Sequence, residues 1–502
     1  MNKKQTATMI LVLLLPLTIT SIPFSSQQDS EYNPWLDYND DGIIDINDLH
    51  MLGQAYSTTG DTTKNVNVTN FPLDEFGNLK TSYPSDIKVV KLNAAICNLW
   101  GYGDALFIGG GAGSPYQARL YRATPQGTVI DLTYNIPALH PGAVEIVAVL
   151  QAPNGDIFAS THPNPIKIIK LSTGTSAWTT VLEPSPTLRS CYSIIMDYGG
   201  YLYFSGRHST PERSIYRSTN KGLSWTRMWT EAEDWIFGMD SHKDTIIAGA
   251  NGAIIRSPDR GTTWTKISVT GSVRNVLWID DNLWIATRAG YSKLLFSLDD
   301  GLTWTEFANA LPDTIAEVPI TVHKSPTGAI AFALRENSGS AAITKDLTTF
   351  KRIDLPIPGI QVRGVYLTEK ALFIGGYVPP THVYHYDQNV GALIIIPIDL
   401  QEIKAENNPQ FLWKNEAVTA NTASPPLFTK GTDTQTYYFK TDTPGTLTIQ
   451  VYDEQTEAFE DFQEHTIAAN KLNAISLTQP FTATRMKFNE TATLTCWTIL
   501  EE

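Results

Sequence analysis

Short apolar segments alternate with polar loops along the middle of the chain, and the pattern repeats. Each repeat has an apolar segment such as "YLYFSG" (201–206), a polar loop and a second segment such as "SIYRST" (214–219). The pair occurs seven times, and the second segments align at Tyr121, Ile169, Tyr216, Ile255, Leu295, Ala342 and Tyr384 ("HVYHYD"). Segments this short, recurring every 39 to 48 residues, predict strands of a repeated β unit.

Three repeats carry nearly identical octapeptides: "STNKGLSW" (218–225), "SPDRGTTW" (257–264) and "SLDDGLTW" (297–304). A short acceptor side chain such as that of Asp259 can bond the N–H groups of a turn, Gly261 can adopt positive φ, and Trp264 can pack between units. The first copy has Asn220 at the aspartate position. An amide serves a turn as well as a carboxylate does, so we predict a structural role for these aspartates and not a catalytic one.

The octapeptides and their spacing resemble those of Asp-box (BNR-repeat, sialidase-like) β-propellers, a group that includes sialidases, xyloglucanases and sortilin-like receptors. The resemblance covers residues 89–403 and implies a seven-bladed β-propeller. In that family the box lies in the hairpin between the third and fourth strands of a blade, away from the face that binds ligands. The motif is typical of the architecture and is shared by enzymes and binding proteins.

Residues 404–502 have a different character. Segments such as "GTLTIQVYDEQ" (445–455) and "TATLTCWTIL" (491–500) alternate apolar and polar positions, as half-buried antiparallel strands do. We expect a C-terminal β-sandwich. Tyr437 or Tyr438 could contact carbohydrate there, and the alternative for either tyrosine is a packing role.

Composition bounds the function further. The chain has 502 residues, 42% hydrophobic, with a net charge of -14 and three cysteines. The charge argues against a nucleic-acid partner, and three scattered cysteines predict no disulfide framework. Residues 1–27 begin with two lysines and continue into an apolar run, the layout of a signal peptide or an uncleaved N-terminal anchor. We therefore expect a secreted or cell-surface protein that would touch a membrane only through that N-terminus.

An acidic loop follows in the segment 30–58. Counted from Asp37, oxygen ligands fill every slot of an EF-hand calcium loop, with Gly42 at the turn. The ligands are Asp37, Asn39, Asp41, the Ile43 carbonyl, Asp45 and Asp48. The aspartate at the last position and the lack of a helical pattern before the loop resemble dockerins. That implies a Ca²⁺ cofactor and a possible cohesin-like partner, although dockerins carry two such loops. Residues 59–88 are interpreted as a linker able to add an edge strand.

Loops on the expected ligand face are rich in rings and charges. Residues entering the innermost strands of repeats two to seven alternate in sign, which would let neighbouring charges pair as a ring at the channel mouth: Glu145, Arg189, Asp234, Arg274, Glu317 and Arg363. The neighbouring loops add Tyr116, His162, Arg207, His208, Arg288, Tyr291, Arg335, Tyr377 and His382. Arginine forks beside planar rings suit sugars and acidic groups. We predict ligand contacts at Arg189, Arg207, Asp234, Arg274 and Arg363; the alternative for each is a solvated rim position.

These features favour an exported modular protein whose propeller binds a glycan or an extracellular protein without catalysis. The first alternative is a glycoside hydrolase of sialidase-like or xyloglucanase-like type using the same face. It would need a Tyr/Glu couple or a pair of facing carboxylates. The second alternative is a structural subunit of a surface assembly that self-associates through the sandwich.

Overall fold

The computed structural model describes residues 87–92, 95–102, 105–112, 117–124, 127–162, 166–183, 188–208, 212–233, 235–280, 282–316, 321–335, 339–357, 360–377, 391–400, 410–430 and 432–501. Within them the chain is all-β, as the sequence predicts, and its one helix, α1 (Ile136–Leu139), has four residues. No helix of this part has the length and apolarity needed to cross a membrane. The predicted signal segment, the calcium loop and the boundary between residues 403 and 404 lie outside the described residues.

The first half of the strands forms consecutive antiparallel sheets. The first described strand is β1 (Lys88–Leu92). One sheet follows with β2 (Ala95–Tyr102), β3 (Ala105–Ala112), β4 (Gln117–Ala123) and β5 (Val129–Asp131). The next contains β6 (Glu145–Gln151), β7 (Ile157–His162), β8 (Ile168–Leu171) and β9 (Thr179–Leu182). The third contains β10 (Leu188–Ser190), β11 (Ile194–Met196), β12 (Leu202–His208), β13 (Arg213–Ser218) and β14 (Thr226–Glu231).

A six-stranded sheet comes next: β15 (Ile236–His242), β16 (Thr245–Ser257), β17 (Thr265–Asp280), β18 (Leu283–Arg288), β19 (Lys293–Ser297) and β20 (Thr305–Ala310). Its two longest strands, β16 and β17, each pair with two other strands. The first part of β16 pairs with β15 and its second part with β17, on either side of the exposed Asn251 and Gly252, where the glycine has φ 65°. The first part of β17 pairs with β16, and its second part pairs with β18.

The last sheet of this series takes its outer strand from the other end of the chain. A sheet of β21 (Val322–Lys324), β22 (Ile330–Ala333), β23 (Ser340–Thr344) and β24 (Lys351–Asp354) precedes one of β25 (Gln361–Leu367), β26 (Ala371–Tyr377) and β27 (Gly391–Pro397). β1 completes the latter by pairing antiparallel with β27 from Lys88↔Ile395 to Leu92↔Gly391. Successive antiparallel sheets closed by the first strand are the architecture of a β-propeller.

Closure also creates a shared core between the first and last sheets. Leu99 and Leu106 from the first pack in one buried cluster with Tyr366 and Phe373 from the last. The Tyr366 ring lies so close to Gly101 that a Cβ on that glycine would stand 1.7 Å from a ring carbon. Glycine is therefore required at residue 101, because a side chain there would displace the tyrosine that helps to close the ring.

Side-chain bonds connect neighbouring units around the channel. Each of these bonds joins a side chain of one unit to the main chain of the next: Asn98 to Val147 O (3.2 Å), Ser160 to Cys191 O (2.9 Å), Met239 N to Ser193 (3.1 Å), Trp278 N to Asp240 (2.8 Å), Thr321 N to Asn275 (2.6 Å) and Leu367 N to His323 (3.1 Å). Polar side chains thus add hydrogen bonds between units to the backbone ladders within each sheet.

The octapeptides lie between β13 and β14, within the β16–β17 connection, and between β19 and β20. In the second copy Asp259 accepts bonds from Ser257 (2.9 Å), the Thr263 N–H (2.7 Å) and the Thr263 hydroxyl (2.6 Å), while Trp264 Nε1 donates to Gly261 O (3.0 Å). Asn220 repeats the acceptor role by taking the Ser224 N–H at 2.9 Å. These bonds show the turn-forming role predicted for the aspartates.

The second and third octapeptides also make bonds beyond their own turns through their residue of positive φ. Arg260 (φ 54°) holds Asp197 through Nε at 2.9 Å, and this carboxylate side chain is fully buried. Asp300 (φ 54°) accepts bonds from Arg256 of β16 (2.9 Å) and from the Trp284 ring N–H (3.0 Å). The second turn therefore ties the six-stranded sheet to the sheet before it, and the third ties β16 to the connection between β19 and β20, both at the end of the channel opposite the starts of the innermost strands.

One sequence prediction is wrong. The segment "HVYHYD" with Tyr384 was expected to supply the third strand of the seventh repeat, and it lies outside the described residues. The strand that pairs with all of β26 is instead β27, the "GALIIIP" segment that follows. β27 is a continuous apolar run, buried at every position except Pro397. Local strand signals occur in both segments, so only the pairing with β26 distinguishes them.

Residues 410–501 form two further sheets around one core. The first contains β28 (Gln410–Val418), β30 (Thr434–Thr441), β33 (Asn473–Leu477) and β35 (Ala492–Glu501), in the order β28-β35-β30-β33. The second contains β29 (Leu427–Phe428), β31 (Gly445–Asp453), β32 (Ala458–Ile467) and β34 (Ala483–Phe488), in the order β29-β34-β31-β32. The core between them includes Tyr437, Phe439, Ile449 and Phe488.

The C-terminal sheets are docked against β20. Buried Asn309 donates to Phe428 O at 3.0 Å and accepts the Phe428 N–H at 2.6 Å, while the Phe428 ring stacks on Phe296 at 5.1 Å. A buried amide that satisfies both backbone groups of one residue fixes position and orientation together. The contact uses both C-terminal sheets, because Gln410 of β28 in the first sheet also accepts the Ala310 N–H at 3.0 Å.

We predict that Asp259→Ala lowers the free energy of unfolding by about 1–2 kcal/mol, because two to three turn bonds are lost. Asp259→Asn should cost less than half of that, since Asn220 already forms the same turn. Urea unfolding monitored by tryptophan fluorescence measures both values. Equal destabilisation by the two variants would show that the charge, and not the acceptor, is what matters.

Stability should also depend on His323. Burial lowers the pKa of this histidine to about 3 from the ordinary 6.5, and its Nδ1 accepts the Leu367 N–H only when unprotonated. The unfolded chain binds the proton near pH 6.5 and the folded chain does not, so stability present above pH 6.5 is lost as the pH falls. Between pH 7.5 and pH 5 the loss from this group is about 2 kcal/mol.

His323→Asn keeps an acceptor near the position of Nδ1 and removes the titration. The difference in unfolding free energy between wild type and His323→Asn should therefore shrink by about 2 kcal/mol between pH 7.5 and pH 5. Burial raises the pKa of Asp240 to about 6, and this opposing contribution is common to both proteins and cancels in the difference. A difference that stays constant with pH would contradict the prediction.

Candidate ligand site at the channel mouth

The predicted ligand residues lie near the starts of the innermost strands, at one end of the channel. Glu145 begins β6, Arg189 lies in β10, Arg274 lies where the second part of β17 begins, and Arg363 lies near the start of β25. Arg207 is near the end of β12, which reaches the same end. Asp234 and Glu317 lie outside the described residues. We call this end, with its loops, the channel mouth.

Two of the predicted arginines flank a pair of aromatic rings. The Arg207 guanidinium lies 3.9 Å from the Trp235 ring centre, and the Arg274 guanidinium lies 4.1 Å from the Phe237 ring centre. The two rings are nearly parallel, 6.0 Å apart at 10°. The result is a row, Arg207–Trp235–Phe237–Arg274, whose guanidinium groups are at most about 14 Å apart from these separations. We call it the mouth row.

The row is assembled from three neighbouring parts of the chain. Arg207 comes from β12, Trp235 and Phe237 from the start of β15, and Arg274 from β17. A guanidinium stacked on a ring is held by cation–π attraction, and stacking fixes the plane in which its N–H donors lie. The arrangement therefore orients two arginine forks before any ligand arrives.

Tyr192 joins the row from the connection between β10 and β11. Its ring lies 5.4 Å from Trp235 and 6.1 Å from Phe237. Burial and the nearby carboxylate of Glu145 raise the pKa of Tyr192 to about 12, against the opposing effects of Arg207 and Arg274. The phenol is therefore neutral at physiological pH and can donate a hydrogen bond.

The backbone of Trp235 has an unusual conformation. Its φ is 62°, in the left-handed region that bulky residues rarely adopt and that costs on the order of 1 kcal/mol or more. Strained residues of this kind concentrate at sites where a side chain must be aimed. Here the conformation sets the Trp235 ring against Arg207, at the centre of the row.

The remaining predicted members have other described contacts. Glu145 is 8% exposed, and its Oε1 lies 2.9 Å from Nδ1 of His162. Arg363 donates to the Tyr377 hydroxyl at 2.7 Å. Arg189 is exposed. The hypothesis that charges of alternating sign pair around the mouth stays a prediction, because two of its six members are outside the described residues.

Several loop residues suggested by the sequence have packing roles. The Arg288 side chain is 4% exposed, pairs with Glu306 and lies over the Tyr291 ring. His208 is buried and contacts the Ser214 hydroxyl at 2.8 Å. Arg335 is exposed, while Tyr116 and His382 lie outside the described residues. Sequence alone grouped Arg288 and His208 with Arg207. The first two are buried, whereas Arg207 is partly exposed.

Sequence reasoning missed Tyr192, Trp235 and Phe237. The signal for two of them was present in "DWIFGM" (234–239), where aromatic residues occupy alternate positions of a strand and so lie on one face. The contact between Arg207 and Trp235 could not be found from the sequence, because 28 positions separate them and a left-handed backbone aims the ring.

Comparison with known proteins finds solved structures that are similar to this chain at low sequence identity. No protein-family model matches the chain, and no curated protein matches it. Similar solved structures include virginiamycin B lyase from Staphylococcus aureus (13% identity, TM-score 0.46, covering 62% of this chain and 100% of that chain). Others are YCF48 bound to D1 peptide (15%, 0.45, 64% and 99%) and oligogalacturonate lyase in complex with manganese (13%, 0.46, 67% and 98%). TM-scores below 0.5 carry no argument about this chain's ligand or activity.

Proposed function

We propose that this chain is an exported modular binding protein whose propeller holds an acidic glycan at the channel mouth. In this proposal a dockerin-like calcium segment precedes a seven-bladed Asp-box propeller, which a β-sandwich follows. The observation that carries the proposed binding function is the mouth row, in which two oriented arginines flank two stacked rings.

The blade count follows from dividing the six-stranded sheet. β16 and β17 each pair with different partners through their two parts. Counting each part as a strand gives two blades of four strands. Among the described residues before the C-terminal unit there are five other sheets, so the proposed total is seven blades. The two C-terminal sheets around one core are then the sandwich.

The chemistry of the row favours a carboxylated sugar chain. Arginine forks bind carboxylates through paired hydrogen bonds, and aromatic rings with a phenol suit the mixed apolar and hydroxylated surface of a sugar. The whole chain has a net charge of -14. A mouth made positive by the two arginines would therefore differ in sign from the chain as a whole. The other proposed ligand class is an extracellular protein. Its acidic side chains would bind the arginines in place of the sugar carboxylates.

Binding without cleavage is our first choice. A sialidase-like hydrolase is favoured by one specific observation, the closeness of Glu145 to Tyr192. However, a nucleophilic tyrosine needs a pKa shifted towards neutrality, and the pKa of Tyr192 is raised to about 12. His162 also contacts the Glu145 carboxylate at 2.9 Å. These two facts support a donor role for the phenol.

The calcium segment is proposed from sequence alone. Asp37, Asn39, Asp41, Asp45 and Asp48, with the Ile43 carbonyl, supply the six oxygen donors of an EF loop. Bound Ca²⁺ would fold a segment that has almost no apolar core of its own. A docking partner of cohesin type is compatible with one such loop but is not required by the proposal.

Arg207→Gln and Arg274→Gln should each weaken binding of a carboxylated oligosaccharide about tenfold or more, because each removes a charge-assisted hydrogen bond. Isothermal titration against oligogalacturonate and its carboxyl-reduced analogue measures this. Arg352→Gln is the matched control: it removes one arginine charge on β24, where the partners are Asp313 and Asp354. Binding unchanged in both mouth variants would contradict the proposal.

A reducing-end assay decides between binding and hydrolysis. We expect no new reducing ends after long incubation with sialylated, xyloglucan and uronate substrates. Sugar release by the wild type that disappears in Tyr192→Phe would establish the hydrolase instead, since this variant keeps the ring and removes only the hydroxyl.

Asp41→Ala should abolish high-affinity Ca²⁺ uptake, because it removes one carboxylate from the loop. Asp40→Ala is a matched control, since Asp40 is the neighbouring acid at a position that supplies no ligand. Equilibrium dialysis with ⁴⁵Ca²⁺ measures both. Equal uptake by wild type and Asp41→Ala, or equal loss in the two variants, would contradict the assigned loop.

A further inference from the structure

Three aromatic side chains lie in a row on the outer face of the sheet β28-β35-β30-β33. They are Phe411, Trp497 and Tyr438, on three adjacent strands, where Trp497 is paired in register with both of the others. The ring centres of Phe411 and Trp497 are 6.3 Å apart, and those of Trp497 and Tyr438 are 5.3 Å apart at 15°. All three side chains are partly exposed. We call them the aromatic strip.

Strand alternation separates the strip from the core. Tyr437 points inward, is fully buried and donates to Gln435 at 2.8 Å, so it is excluded as a carbohydrate contact. Its neighbour Tyr438 faces outward. Likewise Cys496 belongs to the core cluster while Trp497 does not. Of the two tyrosines that the sequence suggested, only Tyr438 can meet a ligand.

The propeller contacts both C-terminal sheets. Phe428 of β29, with Tyr452 and Phe459 packed nearby, belongs to the sheet β29-β34-β31-β32. In the sheet that carries the strip the contact is made by Gln410 of β28, which is buried and accepts the Ala310 N–H at 3.0 Å, whereas the side chain of the next residue, Phe411, is partly exposed on the outer face.

Polar groups around the strip are hydroxyls and ammoniums. The outward positions of β30 and β35 near its centre are Thr436, Lys440, Thr495 and Ile499, and none carries a carboxylate. Thr436 and Ser476 hydroxyls lie 3.0 Å apart beside Tyr438, and the Lys414 ammonium lies 5.1 Å from the Phe411 ring. The two ammonium groups, with no carboxylate among these residues, disfavour a cationic partner at this face.

We propose that the aromatic strip is a second glycan-binding surface, for a chain of pyranose units. The C–H faces of the sugars would lie on the ring faces and edges that remain exposed, and the sugar hydroxyls would bond Thr436, Ser476 and Lys440. This surface is independent of the mouth row. Two sites on one rigidly docked protein would bind a long polysaccharide with avidity greater than either site alone.

The test uses the full chain in retention assays on insoluble cellulose and chitin and in affinity electrophoresis with soluble xylan and glucomannan. Trp497→Ala and Tyr438→Ala should each weaken retention on the bound polysaccharide about tenfold or more, and Trp497→Tyr should restore most of it. Phe462→Ala is the matched control, because Phe462 is a 37% exposed aromatic on β32 that packs against Phe481. It should bind like the wild type.

Other results would overturn the proposal. Retention that is unchanged in Trp497→Ala and Tyr438→Ala, with melting temperature alone reduced, would show that the strip only stabilises the sheet by cross-strand stacking. Failure of the wild type to bind any of the four polysaccharides would also reject it. Concentration-dependent self-association, measured by light scattering and abolished by Trp497→Ala, would assign the strip to a second copy of this chain. Arg207→Gln/Arg274→Gln should leave retention on these neutral polysaccharides unchanged, which separates the two sites.

Discussion

The pairing of β1 with β27 is the constraint on which the rest of the structure depends. Without it the last sheet would expose the edge of β27, and the core that Leu99 and Leu106 share with Tyr366 and Phe373 would open. Closure brings residues near 90 and near 395 together and makes the innermost strands converge on one channel. Side-chain bonds between neighbouring units, such as that from the Trp278 N–H to Asp240, add to the backbone ladders of the sheets.

The octapeptide turns and the proposed binding site lie at opposite ends of the channel. At the octapeptide end Asp259 accepts a backbone N–H of its own turn, and Asp300 accepts a bond from Arg256. The opposite end collects the starts of the innermost strands, and the mouth row is built there from β12, β15 and β17. Packing around the ring fixes the positions of these strands, so the two arginines and two rings are held before a ligand binds, which limits the ordering cost of association.

The sequence predicted the fold well and the site in part, for physical reasons that differ between residues. Short strands, turn glycines and the octapeptides are local signals, and they identified most of the repeat. The seventh repeat was assigned to the wrong segment because local strand signals occur in both candidates and only the pairing with β26 distinguishes them. Arg207 and Arg274 could be proposed from their chain positions, whereas the contacts of Tyr192 and Trp235 could not be predicted, because they run between sheets and depend on one left-handed backbone conformation. Likewise the outward direction of Tyr438, and not of Tyr437, required the register of β30 with β35.

The central claim is that the channel mouth, and not the octapeptide end, is where the propeller meets its ligand. A crystallographic difference map of the protein soaked with a short oligogalacturonate tests it directly. We expect density along the mouth row, with carboxylates within hydrogen-bond distance of the Arg207 and Arg274 guanidinium groups and a sugar ring near Tyr192. Density at the turns around Asp259 or Asp299, with an empty mouth, would show that the ligand binds at the octapeptide end instead.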